Sequence, residues 1–176
     1  DPTSGGAVER VAHGGHADET IEFSANINPE IPPGVERVYR DALQEVSAYP
    51  PEPPTEFVER AADYVDVAPR QIVPTPGGLA AIRLAIETTV ERSDTVLVPE
   101  PSFGEYAREV RLQGATPVAA PASEVLEADP DDHALAIVCN PNNPTGQAYD
   151  GDQLRDFVRR ARDAGTPVLV DEAFLG

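Results

Sequence analysis

The amino-acid sequence predicts an α/β fold in which a mostly parallel sheet is flanked by helices and preceded by an N-terminal arm of helices and loops. From residue 69 onward, apolar runs of strand length alternate with segments of helical spacing, as in a parallel sheet covered by helices. Before that point, apolar residues recur mainly at helical spacing between proline-rich loops. We therefore predict two regions, an arm over residues 1–68 and an α/β domain over residues 69–176.

The arm contains two predicted helices and no sheet of its own. Apolar residues recur at helical spacing from residue 34 to residue 48, and the proline-rich run over residues 49–54 ends that helix. Thr55 is a candidate cap for a second helix, whose apolar face begins at Phe57.

The α/β domain contains five predicted strands separated by loops and three helices. The strands cover residues 72–73, 95–98, 115–119, 134–139 and 166–171, and the helices cover residues 79–90, 105–113 and 150–164. Asp150 is a candidate N-cap of the last helix, and Gly165 follows its end. Ligands of open α/β sheets bind at the carboxyl ends of the strands, so polar residues there are candidate site residues.

The net charge of -18 arises from 31 acidic and 13 basic residues, and all 13 basic residues are arginine. A surface this acidic repels nucleic acid and anionic membranes, so neither is an expected partner. The acidic residues are spread along the chain, which favours adaptation to high salt, where screening removes the self-repulsion.

The single cysteine, Cys139, lies within an apolar strand and is expected to be a buried thiol, so no disulfide framework is possible. The sequence contains no signal peptide and no apolar run long enough to cross a bilayer. We therefore expect a soluble, cytoplasmic protein.

Two histidines lie close together in His13-Gly14-Gly15-His16, followed by Asp18 and Glu19. A metal site needs a further convergent set of ligands, which the pattern lacks, so no metal is expected. Two other interpretations stay open: a flexible glycine-rich turn, or a loop whose histidine meets an anionic ligand.

Two segments that follow predicted strands carry candidate binding groups. Gly77-Gly78-Leu79 precedes a helix whose first backbone N–H groups suit an anion such as phosphate, although a glycine pair there is more often only turn geometry. Phe103 and Tyr106 offer rings that stack on a planar ligand or pack in the core.

Asn143 and Asp171 each follow an apolar strand. An amide there can bond a ring oxygen and a carboxylate can pair with a protonated ring nitrogen, although turn formation and helix capping are the commoner uses of these residues. The functional interpretation depends on convergence, since a phosphate site, an aromatic ring, an amide and a carboxylate are all predicted at one sheet edge. Pyridoxal 5'-phosphate requires this set of groups.

The segments Asn142-Asn143-Pro144-Thr145-Gly146 and Val170-Asp171-Glu172-Ala173-Phe174 resemble the paired signatures of fold-type-I, class I/II aminotransferases. The resemblance covers the chain from about residue 11 to its end and implies a pyridoxal phosphate enzyme. The segments His13-Gly14-Gly15, residues 23–29 and Tyr49-Pro50 are most similar to threonine-phosphate decarboxylases of cobalamin biosynthesis, and next to histidinol-phosphate aminotransferases.

The resemblance implies roles for individual residues and a small phosphorylated, amino-acid-like substrate. Asp171 would pair with the pyridine nitrogen as the catalytic carboxylate, Asn143 would bond the ring hydroxyl oxygen, and Tyr106 would stack on the ring. The backbone of Gly78 and Leu79 would bind the cofactor phosphate, and so would Tyr49 of the neighbouring subunit in a homodimer. The substrate would be contacted by His13, Asn26 and Asn28.

The sequence departs from the family pattern at two points. Phe174 stands where many members have tyrosine, which removes one hydrogen bond to the ring hydroxyl. Leu79-Ala80-Ala81 stands where acidic and hydroxyl side chains often follow the glycine, so anchoring of the phosphate would depend on the backbone and on groups outside this chain.

The resemblance also implies a lysine that forms the Schiff base with the cofactor, and the 176 residues contain none. We therefore expect the N-terminal part of a longer enzyme, with residues 69–176 as an incomplete cofactor-binding domain and residues 1–68 as a small-domain and dimer-contact region. The fragment alone should be inactive, with the strand that ends at Asp171 as an unpaired edge.

Two other functional classes are compatible with parts of the sequence. A non-catalytic module would bind pyridoxal phosphate reversibly without a lysine. A nucleotide-binding α/β domain is disfavoured because the turn after Val73 lacks both the spaced glycines of a dinucleotide site and the Gly-Lys of a P-loop.

Overall fold

The computed structural model describes residue 8 and residues 28–175. The described residues divide into two compact units, one that contains residues 28–75 and one that contains residues 76–175. The predicted roles of residues 1–68 and 69–176 stay predictions.

The unit that contains residues 28–75 is built from two helices and a short 3-10 helix. Helix α1 covers Val35–Ala42, helix α2 covers Thr55–Val65, and the 3-10 helix covers Pro69–Gln71. The helix predicted over residues 34–48 is shorter than expected, because backbone bonds from Gln44 and Glu45 to the carbonyls three residues earlier tighten the chain into turns.

The strand predicted at residues 72–73 is wrong. Ile72 has extended backbone angles, but no strand is assigned anywhere between residues 28 and 75. The physical reason lies in the flanking sequence: Pro74 and Pro76 have no backbone N–H group and cannot contribute to a strand ladder.

The second unit contains a four-stranded parallel sheet with the order β2-β1-β3-β4. Its strands are β1 (Thr95–Glu100), β2 (Thr116–Pro121), β3 (Leu135–Cys139) and β4 (Val168–Asp171). Its helices are α3 (Gly78–Thr89), α4 (Glu105–Leu112) and α5 (Gly151–Ala164). The α/β fold with a parallel sheet is confirmed.

Helices cover the two faces of this sheet and create two hydrophobic clusters. Val96 and Val98 of β1 belong to a cluster with residues of α3 and α4, whereas Leu97 belongs to a cluster with Phe157 of α5. This alternation follows from the two-residue period of a strand. Every residue of β3 is buried, whereas every residue of β4, the edge strand of the described sheet, is only half-buried.

Helix α5 has the ends that the sequence predicts. The Asp150 carboxylate accepts hydrogen bonds from the backbone N–H groups of Asp152 (2.9 Å) and Gln153 (3.1 Å). Gly165 ends the helix in the left-handed conformation at a φ of 84°. Across the described residues, no helix has the length and apolar character needed to span a membrane.

Candidate functional site

The carboxyl ends of β1, β3 and β4 bring several predicted site residues together. The β3–β4 register pairs Cys139 with Asp171, the last residues of their strands. The Asn140 backbone N–H donates to the Asp171 carbonyl oxygen at 2.9 Å, so the loop after β3 starts beside that residue. Tyr106 reaches the same point from the first turn of α4, which follows β1.

The Asp171 carboxylate is held by a donor on each oxygen. The Tyr106 hydroxyl donates to Oδ2 at 2.6 Å, and the Ala173 backbone N–H donates to Oδ1 at 3.0 Å. Asp171 as a whole is half-buried, so the residue keeps some accessible surface. Together the two hydrogen bonds fix the orientation of the carboxylate.

Tyr106 lies entirely within the core, with 0% of its surface exposed. Burial away from water raises its pKa, and hydrogen bonds with Asp171 and Cys139 raise the pKa further. A raised pKa keeps the phenol proton in place, so the hydroxyl is suited to donate to Asp171.

Asn143 is anchored to the end of β3 through its backbone. Its N–H group donates to the Cys139 sulfur at 3.4 Å, and the Cys139 thiol donates to the Pro141 carbonyl oxygen at 3.3 Å. The Asn143 residue itself is half-buried. The buried Cys139 thiol therefore ties the Asn143 backbone to the end of β3.

Asn142 ties the loops after β1 and β3 together, a role that sequence reasoning missed. It is buried, and its Nδ2 donates to the Pro101 carbonyl oxygen (3.1 Å) and to Thr145 Oγ1 (2.9 Å). Its Oδ1 atom is buried without a hydrogen-bond partner among the described residues. In the sequence Asn142 looks like an ordinary turn residue beside Asn143, and the partner Pro101 lies 41 positions away.

Helix α3 starts with an accessible backbone end, as predicted for a phosphate site. Gly77 precedes it at a φ of 97°, a backbone conformation that favours glycine. Gly78 is exposed, and no heavy atom lies within 4 Å of the position that a Cβ atom would take there. The positive end of the helix dipole therefore faces open space that suits an anion.

The predicted stacking role of Tyr106 requires an accessible ring face, and Tyr106 has no exposed surface in this structure. Phe103, in the loop before α4, is half-buried and packs edge-to-face against Tyr106, with 5.6 Å between ring centroids. The stacking role stays a prediction for Tyr106, and Phe103 is the neighbouring aromatic residue with accessible surface.

The remaining predicted site residues lie in the first part of the chain. Tyr49 is fully exposed, and Asn28 is exposed with its Oδ1 accepting a hydrogen bond from the Glu30 backbone at 2.9 Å. His13 and Asn26 lie outside the described residues. The roles of these four residues stay predictions.

A family model described as "Aminotransferase class I and II" matches residues 18–176 of this chain. An aromatic amino acid aminotransferase from Mycolicibacterium vanbaalenii is 35% identical over 150 residues, which cover 81% of this chain and 42% of the relative. A histidinol-phosphate aminotransferase from Caldanaerobacter subterraneus is 31% identical (88% and 46% covered), and a threonine-phosphate decarboxylase from a Sinorhizobium species is 32% identical (97% and 49% covered). The chain spans about half the length of these curated relatives.

Solved structures of aminotransferases also match this chain in fold. The N-succinyldiaminopimelate aminotransferase from Mycobacterium tuberculosis superposes with a TM-score of 0.72 at 27% identity, over 85% of this chain and 44% of that structure. The histidinol-phosphate aminotransferase from Sinorhizobium meliloti in complex with pyridoxal-5'-phosphate has a TM-score of 0.71 at 20% identity, over 81% and 41%, and supports the fold alone.

Proposed function

Because the chain belongs to the class I and II aminotransferase family, we propose that it forms part of an enzyme that decarboxylates L-threonine O-3-phosphate. The observation that carries the proposal is the Asp171 carboxylate at the end of β4, hydrogen-bonded on both oxygens beside the Asn143 loop. The choice of substrate is supported by the His13-Gly14-Gly15 and Tyr49-Pro50 segments and by the decarboxylase relative.

Enzymes of this family use pyridoxal 5'-phosphate, which confirms the predicted cofactor at the level of the family. The residues present fit this group, because the open N-terminus of α3 suits its phosphate and the ionised Asp171 suits a protonated ring nitrogen. When bound, the cofactor acts as an electron sink for charge that develops on the substrate.

The proposed roles follow from placement. Asp171 keeps the ring nitrogen protonated, the Asn143 side chain meets the ring hydroxyl oxygen, and the backbone N–H groups of Gly78 and Leu79 bind the phosphate. Phe103 is a second candidate beside Tyr106 for contact with the ring face.

We extend the proposal to a homodimer in which Tyr49 of one subunit reaches the cofactor phosphate held by the other. The support is the full exposure of the Tyr49 side chain together with the Tyr49-Pro50 resemblance. His13, Asn26 and Asn28 are proposed to contact the substrate, with His13 at its phosphate. Adaptation to concentrated salt is part of the same proposal, supported by the net charge of -18.

Transamination of histidinol phosphate is the second candidate, because relatives named for that activity match the chain at similar identity. Both substrates carry a phosphate, so the phosphate contacts do not distinguish them. The third candidate is an inactive module that binds the cofactor reversibly, and its support is the set of groups at the strand ends that suit the ring and the phosphate.

The test uses protein expressed from the complete gene and purified in concentrated and in dilute KCl. Carbon dioxide release from L-threonine O-3-phosphate and amino transfer from histidinol phosphate to 2-oxoglutarate are measured with added pyridoxal phosphate. Borohydride reduction followed by peptide mapping tests for a covalent adduct. Decarboxylation with higher activity in concentrated KCl is expected; transfer without decarboxylation selects the second candidate, and binding with neither reaction selects the third.

A matched pair of variants assigns the activity to Asp171. We expect Asp171→Asn to lower kcat/KM by about 100-fold, since removal of one partner from a buried charge pair costs about 2–5 kcal/mol. Asp163→Asn makes the same change at an exposed position of α5 and should leave the activity unchanged. Equal activity of the two variants would exclude the proposed role of Asp171.

A further inference from the structure

The Tyr106 hydroxyl is a polar group buried in a hydrophobic cluster, and the proposed contacts with the cofactor do not use it. The ring packs among residues of α3, α4 and the sheet, including Ile82, Val110 and Ile137. A phenylalanine ring would fill the same space without a polar atom to satisfy. A buried hydroxyl is unfavourable unless it is hydrogen-bonded, so the function of this one lies in its bonds.

The hydroxyl makes its short bond to the residue on which the proposed function depends. The distance from Tyr106 Oη to Asp171 Oδ2 is 2.6 Å, in the range of a hydroxyl that donates to an ionised carboxylate. The Tyr106 hydroxyl on one oxygen and the Ala173 N–H on the other together fix the rotation of the Asp171 carboxylate. The backbone of Asp171 is already fixed by the β3–β4 register and by the N–H of Asn140.

Helix α4, which carries Tyr106, is itself locked in place by a buried ion cluster. Glu109 lies one turn after Tyr106, is buried, and accepts from Arg83 Nε of α3 at 3.0 Å and from Arg108 Nη1 at 2.8 Å. Arg108 also contacts Glu105 at 3.3 Å. Because the Arg83–Glu109 bond ties α4 to α3, the tyrosine cannot easily shift away from Asp171.

We infer that Tyr106 is a positioning residue that holds the Asp171 carboxylate oriented toward the ring nitrogen of pyridoxal phosphate. The inference rests on the proposed function and deepens it. The Tyr106 hydroxyl acts through Asp171, whichever of Tyr106 and Phe103 contacts the ring face. A hydrogen bond to the ionised form stabilises that form, and a fixed carboxylate loses less conformational freedom when the cofactor binds.

The experiment is a double-mutant cycle on the protein from the complete gene, with the dissociation constant of pyridoxal phosphate as the measured quantity. Tyr106→Phe should raise this constant about tenfold, the effect of losing one hydrogen bond to a charged group. In an Asp171→Asn background the same change should alter it by less than about twofold, because the charge through which Tyr106 acts is gone.

Tyr149→Phe is the matched control. The Tyr149 hydroxyl donates to the Ala122 carbonyl oxygen at 2.5 Å, and its ring packs against the cluster on the other face of the sheet. Removal of the Tyr149 hydroxyl should leave the dissociation constant of pyridoxal phosphate unchanged. Thermal unfolding of each apo-protein serves as a second readout and shows that the variants are folded.

Each outcome decides between distinct ideas. An equal rise of the constant for Tyr106→Phe in both backgrounds would make Tyr106 a purely structural residue, and no rise in either would remove any role for its hydroxyl. Either result overturns the inference while leaving the proposed function intact. Failure of the unmutated protein to bind pyridoxal phosphate would overturn both.

Discussion

Helices α1 and α4 have the same length and nearly the same composition, yet the protein uses them in opposite ways. Each has eight residues, and each contains one tyrosine, two arginines, one alanine, at least one glutamate and at least one valine. Helix α1 has no buried residue. Helix α4 has four: Glu105, Tyr106, Glu109 and Val110.

The difference lies in the neighbours of each helix, because the residue types are shared. Helix α4 follows β1 and packs against the sheet and α3, so it buries a tyrosine and two glutamates. Helix α1 lies between a proline-rich loop and a series of turns, and its glutamate pairs with Arg40 at the surface. Composition and periodicity thus predict that both segments are helical, whereas the chain topology decides which helix carries the core and the site.

The largest expected difference in the free energy of unfolding is between substitution of Glu109 on α4 and substitution of Glu36 on α1. Glu109→Ala removes the acceptor for Arg83 and Arg108, and we expect the free energy of unfolding to fall by about 3 kcal/mol, as for other broken buried ion pairs. Glu36→Ala removes the exposed partner of Arg40 and should cost less than about 1 kcal/mol. Urea unfolding of both variants in the same KCl concentration measures the difference.

One outcome of the comparison between Glu109→Ala and Glu36→Ala would contradict the prediction. If the two variants lose the same free energy of unfolding, the Glu109 cluster contributes no more than a surface ion pair. The expected size takes account of the half-exposed Arg83 side chain, which water can solvate after the substitution.

The sequence predicted the elements whose signals are local. The Asp150 cap and the Gly165 stop of α5 were correct because capping residues act within one turn of their own helix. The strands that end at Cys139 and Asp171 were also predicted, since unbroken apolar runs bounded by turn residues are typical of a buried parallel sheet.

Features that depend on distant partners were not predictable from local signals. The 2.6 Å bond between Tyr106 and Asp171 joins residues 65 positions apart, and nothing near Tyr106 in the sequence distinguishes a core ring from a ligand-facing one. The tie from Asn142 to Pro101 was missed for the same reason. The incorrect strand at residues 72–73 shows the converse, because β-branched residues indicate a strand only if a partner strand is available.

A smaller effect is expected when valines are truncated on the two helices. Val110 is 0% exposed and Val38 is 60% exposed. Val110→Ala should lower the free energy of unfolding by about 2 kcal/mol, from lost burial and the cavity that remains. Val38→Ala should change it by less than about 0.5 kcal/mol. A cost for Val38→Ala equal to that of Val110→Ala would mean that α1 is covered by protein in solution.

The smallest expected effect is on the stability at alkaline pH, and it distinguishes Tyr106 on α4 from Tyr39 on α1. Burial raises the pKa of Tyr106 above its ordinary value, so the unfolded chain releases the phenol proton at a lower pH than the folded chain. The resulting stabilisation is complete below about pH 10 and is lost as the pH rises further, at up to about 1.4 kcal/mol per pH unit. Tyr106→Phe should remove that slope from a plot of the free energy of unfolding against pH.

Tyr39→Phe is the control on α1. Tyr39 is 69% exposed, so Tyr39→Phe removes a tyrosine hydroxyl from the surface and shows what loss of a hydroxyl outside the core does to the same plot. The slope of the free energy of unfolding against pH reports proton release, whereas its absolute value also includes the pH-independent cost of removing a buried hydroxyl. Comparing slopes therefore separates the two effects. A Tyr106→Phe protein that keeps the full alkaline slope would show that Tyr106 is not held as a protonated donor, and the case for its bond to Asp171 would fail with it.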